Sequence, residues 1–255
     1  MELELSMFLI VCPLVFLAGL LDSIAGGGGL ISLPAYLFAG IPVHFALGTN
    51  KLSSIAGTLV ASYRYYKNKY VDLSLCIPCI AVAFAGSALG TSLTLLADER
   101  YLQGLLLAVL PITAFYVFKK KRFDFSGSSL SRARTLVYAL IISFILGGYD
   151  GFFGPGTGTF LILLYGGIAK IDPRIASGNA KPVNLASNLS ALVLFLYHGR
   201  VLMLLGLCAA LFSIIGAYLG SGLVIRRGTK IIRYAILTVL ALLFVKIAYD
   251  VIGGG

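Results

Sequence analysis

Two stretches of this chain repeat one order of residues. Gly19-Leu-Leu-Asp22-Ser-Ile-Ala-Gly26-Gly27-Gly28-Gly29 precedes Gly48-Thr-Asn50-Lys51, and Gly148-Tyr-Asp150-Gly-Phe-Phe-Gly154-Pro-Gly156-Thr157-Gly158 precedes Gly178-Asn179-Ala-Lys181. An acid, a glycine-rich break and a lysine thus recur in a chain that is 59% hydrophobic, with a mean hydropathy of +0.97. Only 12% of residues are charged, against about 25% in soluble domains. The chain reads as a polytopic helical membrane protein, and the repeat dominates what its halves can do.

The repeat runs beyond the two motifs. Asp22 and Asp150 correspond at an offset of 128, and Gly48/Gly178 and Lys51/Lys181 at 130 after a two-residue insertion. The later offset carries Gly86–Leu93 onto Gly216–Leu223. A long period present twice indicates a duplicated membrane unit and not a solenoid. The halves are residues 1–122 and 136–255, joined by a linker over 123–135.

Ten apolar segments are expected, at 8–25, 30–41, 46–63, 75–97, 101–118, 136–152, 158–169, 176–196, 203–224 and 231–249. Met1–Ala25 opens with Glu2 and Glu4 instead of a basic region, so it reads as the first membrane segment and not as a signal peptide. Five segments per half is an odd number. The second half is therefore expected to lie inverted, about a pseudo-two-fold axis in the membrane plane.

The net charge of +10 fits this arrangement better than it fits nucleic acid. With alternating segments, Arg64, Lys67, Lys69, Lys119–Arg122, Arg132, Arg134, Lys170, Arg174, Arg226, Arg227, Lys230 and Arg233 fall on one face, fifteen cations in all. Arg100 and Arg200 fall on the other. By the positive-inside bias the basic loops are cytoplasmic and both termini outside, in the cell inner membrane.

The segments at 30–41 and 158–169 are twelve residues each, about 18 Å of helix against a hydrocarbon core of roughly 30 Å. Each is expected to form a broken helix or re-entrant hairpin with its predecessor, with the glycines at the bend. Glycine bends before short helices leave unpaired amides with positive partial charge, which suit an anion. A close-packing role for the glycines is the alternative. Neither run is a dinucleotide or P-loop motif, because the strand context and the Gly-Lys-Ser/Thr ending are missing.

Lys51 and Lys181 are expected one turn into membrane helices, where a lysine must face a cavity or a counter-ion. They pair with Asp22 and Asp150, within a half or across halves, or they attract a substrate while an aspartate takes a coupling proton. The candidate substrate-binding residues are Gly26, Gly27, Gly28, Gly29, Asn50, Lys51, Gly156, Thr157, Gly158, Asn179, Lys181, Asn184 and Asn188. Asp22 and Asp150 are the candidate proton-coupling or ion-pairing acids. Asn184 and Asn188 stand i, i+4 on one helix face with Lys181, beside Ser187 and Ser190; Ser53, Ser54, Thr58 and Ser62 form the first half's polar set. His44 and His198 read as surface residues, and Lys246 snorkels or pairs with Asp250.

Cys76-Ile-Pro-Cys79 has CxxC spacing, but it begins a membrane segment and lacks a second ligand pair, so buried structural thiols are expected. No catalytic residue, metal site or cofactor is expected.

The quoted motifs, with Asn184-Leu-Ala-Ser-Asn188, resemble the TauE/SafE family of sulfite exporters, also called the toluene sulfonate uptake permeases. The resemblance covers essentially the whole chain. It implies an inner-membrane permease, often with about eight spans, for sulfite, sulfonates and related anions. The expected function is a secondary transporter that works by alternating access, with one midplane site between inverted halves and possible proton coupling. An anion channel is the alternative. The expected partners are a small anion, the bilayer and a proton. Self-association is left open.

Overall fold

A computed structural model describes residues 3–98, 102 and 130–227. The segments expected at 101–118 and 231–249, the basic run Lys119–Arg122 and Lys246 lie outside the described residues, Leu102 excepted. The described chain is helical: α1 Leu5–Ala25, α2 Gly29–Phe38, α3 Val43–Lys67, α4 Leu73–Leu96, α5 Arg132–Phe152, α6 Thr157–Gly167, α7 Pro173–Tyr197 and α8 Met203–Arg227.

α1, α4, α5 and α8 are each long and apolar enough to cross a membrane. Their outward faces carry exposed apolar side chains such as Leu89, Leu93, Ile141, Ile145, Leu207, Leu211 and Ile215, as expected of surfaces solvated by lipid. α3 and α7 are as long as α8, at 25 residues each, but are interrupted by buried polar groups including Lys51 and Lys181. α2 and α6, of 10 and 11 residues, reach only about 15–17 Å and cannot cross the core.

The glycines make the breaks. α1 stops at Gly26, whose φ of +80° is left-handed and favours a residue without Cβ. The chain then turns back, so that α2 packs along α1 with Gly28 against Ala18 and Asp22. α5 ends comparably, with Gly154 and Gly156 at φ +96° and +83°. The Tyr149 hydroxyl donates to the Pro155 carbonyl at 2.8 Å. Ser143 and Tyr165 hydroxyls share a hydrogen bond of 2.6 Å between α5 and the returning α6.

Packing is exchanged between the halves. α3 and α7 meet at the centre; α1 lies along α8 and α5 along α4, while α8 also covers α3 and α4 covers α7. The contacts are reciprocal at the offsets of the sequence repeat. Gly86 seats the Phe144 carbonyl and Gly216 the Phe16 carbonyl, with no room at either for a Cβ. The Asp72 N–H donates to Asn179 Oδ1 at 2.9 Å, and the Leu202 N–H donates to Thr49 Oγ1 at 3.0 Å. Small residues allow this backbone approach, which dispersion between membrane helices requires.

The two ends of the bundle differ in charge. At one, Arg174 lies over the Tyr70 ring at 5.3 Å, Arg132 sits 3.8 Å from Asp72 and donates to the Ser74 hydroxyl, and Arg64 donates to the Tyr218 carbonyl. At the other, Arg200 lies over the Phe45 ring at 5.5 Å.

Candidate functional site

The lysines lie deeper than one turn. α3 begins at Val43 and α7 at Pro173, so each lysine is the ninth residue of its helix, about 12 Å along the axis. The early starts come from local chemistry that hydropathy does not register. Pro42 caps α3, and Asp172 caps α7 by accepting from the Arg174 and Ile175 N–H groups, with Pro173 in the first turn.

Each lysine crosses to the opposite half. Lys51 Nζ stands 2.9 Å from Asp150 Oδ2 and donates to the Asp150 carbonyl at 2.6 Å. Lys181 donates to the Asp22 carbonyl and stands 3.7 Å from Asp22 Oδ2. Of the pairings left open by the sequence, the cross-half one is formed. A buried ion pair needs supporting hydrogen bonds to offset desolvation. Here backbone carbonyls in the last turns of α1 and α5, those of Asp22 and Asp150, supply acceptors beside each carboxylate.

The environments of the pairs differ. The Lys51 and Asp150 side chains are 2% and 3% exposed, and Asp150 Oδ2 also accepts from the Ser187 hydroxyl at 2.7 Å. Lys181 is 1% exposed but Asp22 is 20% exposed; Asp22 Oδ1 accepts from the Gly28 N–H at 3.2 Å. Beside Asp22 lies a small, partly open pocket, walled by α1, the α2 start, α3 and α8, including Gly28, Gly29, Ser32, Ser54, Thr58 and Ser213.

The glycines divide by role. Gly28 and Gly29 line the pocket. Gly26 and Gly158 abut: a Cβ on Gly158 would lie 2.6 Å from Gly26 Cα, and the Thr159 N–H donates to the Gly26 carbonyl at 3.2 Å. Those two serve close packing. Gly154, with its left-handed φ, leaves room for Lys51, whose Nζ would lie 3.1 Å from an added Cβ. The Thr157 hydroxyl is spent on the Gly154 carbonyl at 2.8 Å, and Gly156 is the left-handed cap of α6. Gly27 lies buried in the first break.

The asparagines are less uniform than their stripe. Asn179 Oδ1 accepts from Asp72, and Asn188 donates to the Asn184 carbonyl of its own helix at 2.8 Å. Asn50 Oδ1 and Asn179 Nδ2 are buried without a hydrogen-bond partner. Asn184 is buried one turn beyond Lys181.

Ser213, like Ser32, is a polar pocket residue that reading the sequence missed. Its signal is its place one turn before Gly216, in the segment whose repeat partner packs on the opposite half. Cys76 and Cys79 are buried and unpaired. His44 Nε2 lies 3.0 Å from the Thr94 carbonyl, and His198 reaches the Leu194 carbonyl in the last turn of α7; neither touches the pocket.

A profile of the family described as Sulfite exporter TauE/SafE matches residues 11–247. A probable membrane transporter protein of Haemophilus influenzae is 36% identical over 251 residues, covering 98% of both chains. Probable membrane transporter protein ORF9 of a Sinorhizobium species is 36% identical, over 92% of this chain and 90% of its own. Probable membrane transporter protein YfcA of Escherichia coli K12 is also 36% identical, over 92% and 87%. No solved structure matches the chain.

Proposed function

The chain belongs to the sulfite exporter TauE/SafE family, and on that premise we propose that it is an alternating-access carrier for a small anion, sulfite, a sulfonate or another sulfur-containing organic anion. The observation that carries this reading is the pair of cross-half Lys–Asp contacts, both at helix breaks and both with a buried lysine. Charges are expensive at membrane depth and are kept there for substrate or ion pathways. A lysine drawn from each half also gives a carrier what it needs: a site shared by two bodies that can rock against one another.

The reciprocal packing at the repeat offsets supports an inverted arrangement of the halves. The concentration of Arg64, Arg132 and Arg174 at one end supports placing that end in the cytoplasm of a cell whose inner membrane holds the protein, with the amino terminus outside. The substrate would sit between the breaks and the lysine helices, within reach of Lys181, Gly28 and Gly29.

The test is flux into proteoliposomes of the purified full chain, with sulfite, sulfoacetate, taurine and simple carboxylates offered in turn. Saturable uptake of at least one sulfur-containing anion is expected. Single-channel current steps would replace the carrier with a pore, and no flux of any anion would overturn the proposal.

A further inference from the structure

The two ion pairs are equivalent in sequence but not in surroundings, and we infer that they have diverged: Lys181–Asp22 is the exchangeable pair, which opens to take one oxyanion headgroup together with one proton, and Lys51–Asp150 is a permanent tie. The inference rests on the anion-carrier reading and names where in the molecule it acts.

Matching the pocket residues through the repeat shows how the second copy was filled. Ala18 becomes Leu146, Ser32 becomes Phe160, Ser54 becomes Asn184, Gly57 becomes Ser187 and Thr58 becomes Asn188. Four of these five replacements are larger and Asn188 is close to Thr58 in volume; of the other lining residues, Val15 corresponds to the smaller Ser143 and Ser213 to Ala83, while Gly19 and Gly28 recur as glycines. Ser187 places its hydroxyl on Asp150 at 2.7 Å, and the Phe160 ring packs edge-on to Tyr149 at 5.8 Å between centroids. At Asp22 the equivalent region is the pocket, and at its Gly57 wall α3 packs directly on Ser213, whose Oγ stands where a Cβ would go.

The pocket offers donors without partners. Thr58 and Ser213 are each 3% exposed and line it, yet neither hydroxyl makes a hydrogen bond among the described residues, nor does that of Ser54. As lining groups of a partly open pocket, these hydroxyls are free to donate to what enters it. Three such hydroxyls in one pocket with Asp22, whose carboxylate Lys181 approaches from α7, fit a sulfonate- or sulfite-like group of oxygens.

Charge then requires the proton. Around Asp22 the charged or titratable neighbours are Lys181 from α7 and the Tyr65 phenol from α3, whose hydroxyl is already donated to the Ser23 carbonyl at 2.7 Å. α2 brings the Gly28 N–H and Ser32, α8 brings Ser213, and α6 meets α1 at Gly26 and Ala25. An anion beside an ionised Asp22 would leave the site with net charge −1. When Asp22 takes a proton as the anion binds, Lys181 transfers its attraction from carboxylate to anion and the site stays neutral. Low local polarity makes the neutral combination favoured.

The experiment uses the full chain in proteoliposomes containing a pH-sensitive dye, with ethanesulfonate, a monoanion, as the probe. In the wild type, uptake of the sulfonate carries protons inward. Asp22→Asn moves it without proton movement. Asp150→Asn yields less protein, but what inserts keeps the wild-type proton-to-anion ratio. Ser54→Asn, which copies the second half's arrangement, narrows the pocket and lowers uptake. Should that variant fail to fold, Ser54→Ala with Thr58→Ala raises the half-saturating concentration about tenfold or more. Loss of proton movement in Asp150→Asn but not in Asp22→Asn overturns the inference, as does wild-type uptake by Ser54→Asn or by the double variant. A wild type that moves no anion instead overturns the carrier reading itself.

Discussion

At the scale of the residue, the two lysines occupy the same helical position and meet different fates. Lys51 is enclosed, with Asp150 supplying both a carboxylate and a carbonyl oxygen. Removing one member of a buried pair leaves its partner's charge uncompensated, at a cost of about 3–5 kcal/mol. Lys51→Ala is therefore expected to lower the thermal unfolding temperature in detergent sharply. Lys51→Ala combined with Asp150→Asn should recover part of that loss, because no charge is then stranded. Equal destabilisation by the single and double variants would argue against a tie. Gly158 makes a separate prediction. An added methyl would lie 2.6 Å from Gly26 Cα, backbone against backbone. Gly158→Ala should abolish monodisperse protein on size exclusion, whereas Gly167→Ala, with open space around its Cβ, should be neutral or stabilise by up to about 1 kcal/mol.

At the scale of the element, the caps fix where helices start. Asp72 caps α4, and the Ser74 hydroxyl hydrogen bond is the main reason its carboxyl is held below the ordinary value. Partial burial pushes the other way, while the Leu75 and Ser74 N–H groups and Arg132 add smaller lowering effects. A lowered value means the folded state favours the ionised form. The contribution is therefore full above the unfolded value and is lost as pH falls through the folded one. Asp72→Ala should cost about 1 kcal/mol at neutral pH and nearly nothing in strong acid, read from unfolding midpoints at the two pH values. The same caps explain what was legible in the sequence. The short α2 and α6 and their glycine breaks were readable, because length and backbone freedom are local. The depth of the lysines was not, because Pro42 and Asp172 begin α3 and α7 in polar residues that an apolar window leaves out. Asp22, Lys181, Gly28 and Gly29 were named together in the sequence. Ser213 was not, since the repeat says which residues correspond but not which half packs on which.

At the scale of the molecule, four left-handed residues connect the fold to its orientation in a membrane. Gly40 and Lys170 follow the short helices, Lys69 and Gly199 follow the lysine helices, and their φ angles are +78°, +56°, +61° and +65°. Each Gly corresponds to a Lys in the other half at the offset of 130. A left-handed conformation costs about 1–2 kcal/mol for a residue with a side chain, so glycine is the default, and a lysine there needs another reason. An inverted repeat supplies one. Inversion sends Lys69 and Lys170 to the same face, where positive charge holds topology, and sends Gly40 and Gly199 to the opposite face. Single cysteines at these four sites, in a chain whose own cysteines are alanine, test this. The lysine positions show that the backbone accepts a side chain, and Gly40 and Gly199 have open space where a Cβ would go. A membrane-impermeant thiol reagent should label Gly40→Cys and Gly199→Cys in intact cells, and Lys69→Cys and Lys170→Cys only in inverted vesicles. If Lys69→Cys and Lys170→Cys were labelled from opposite sides, the halves would share one orientation. A carrier built from inverted halves would then be ruled out.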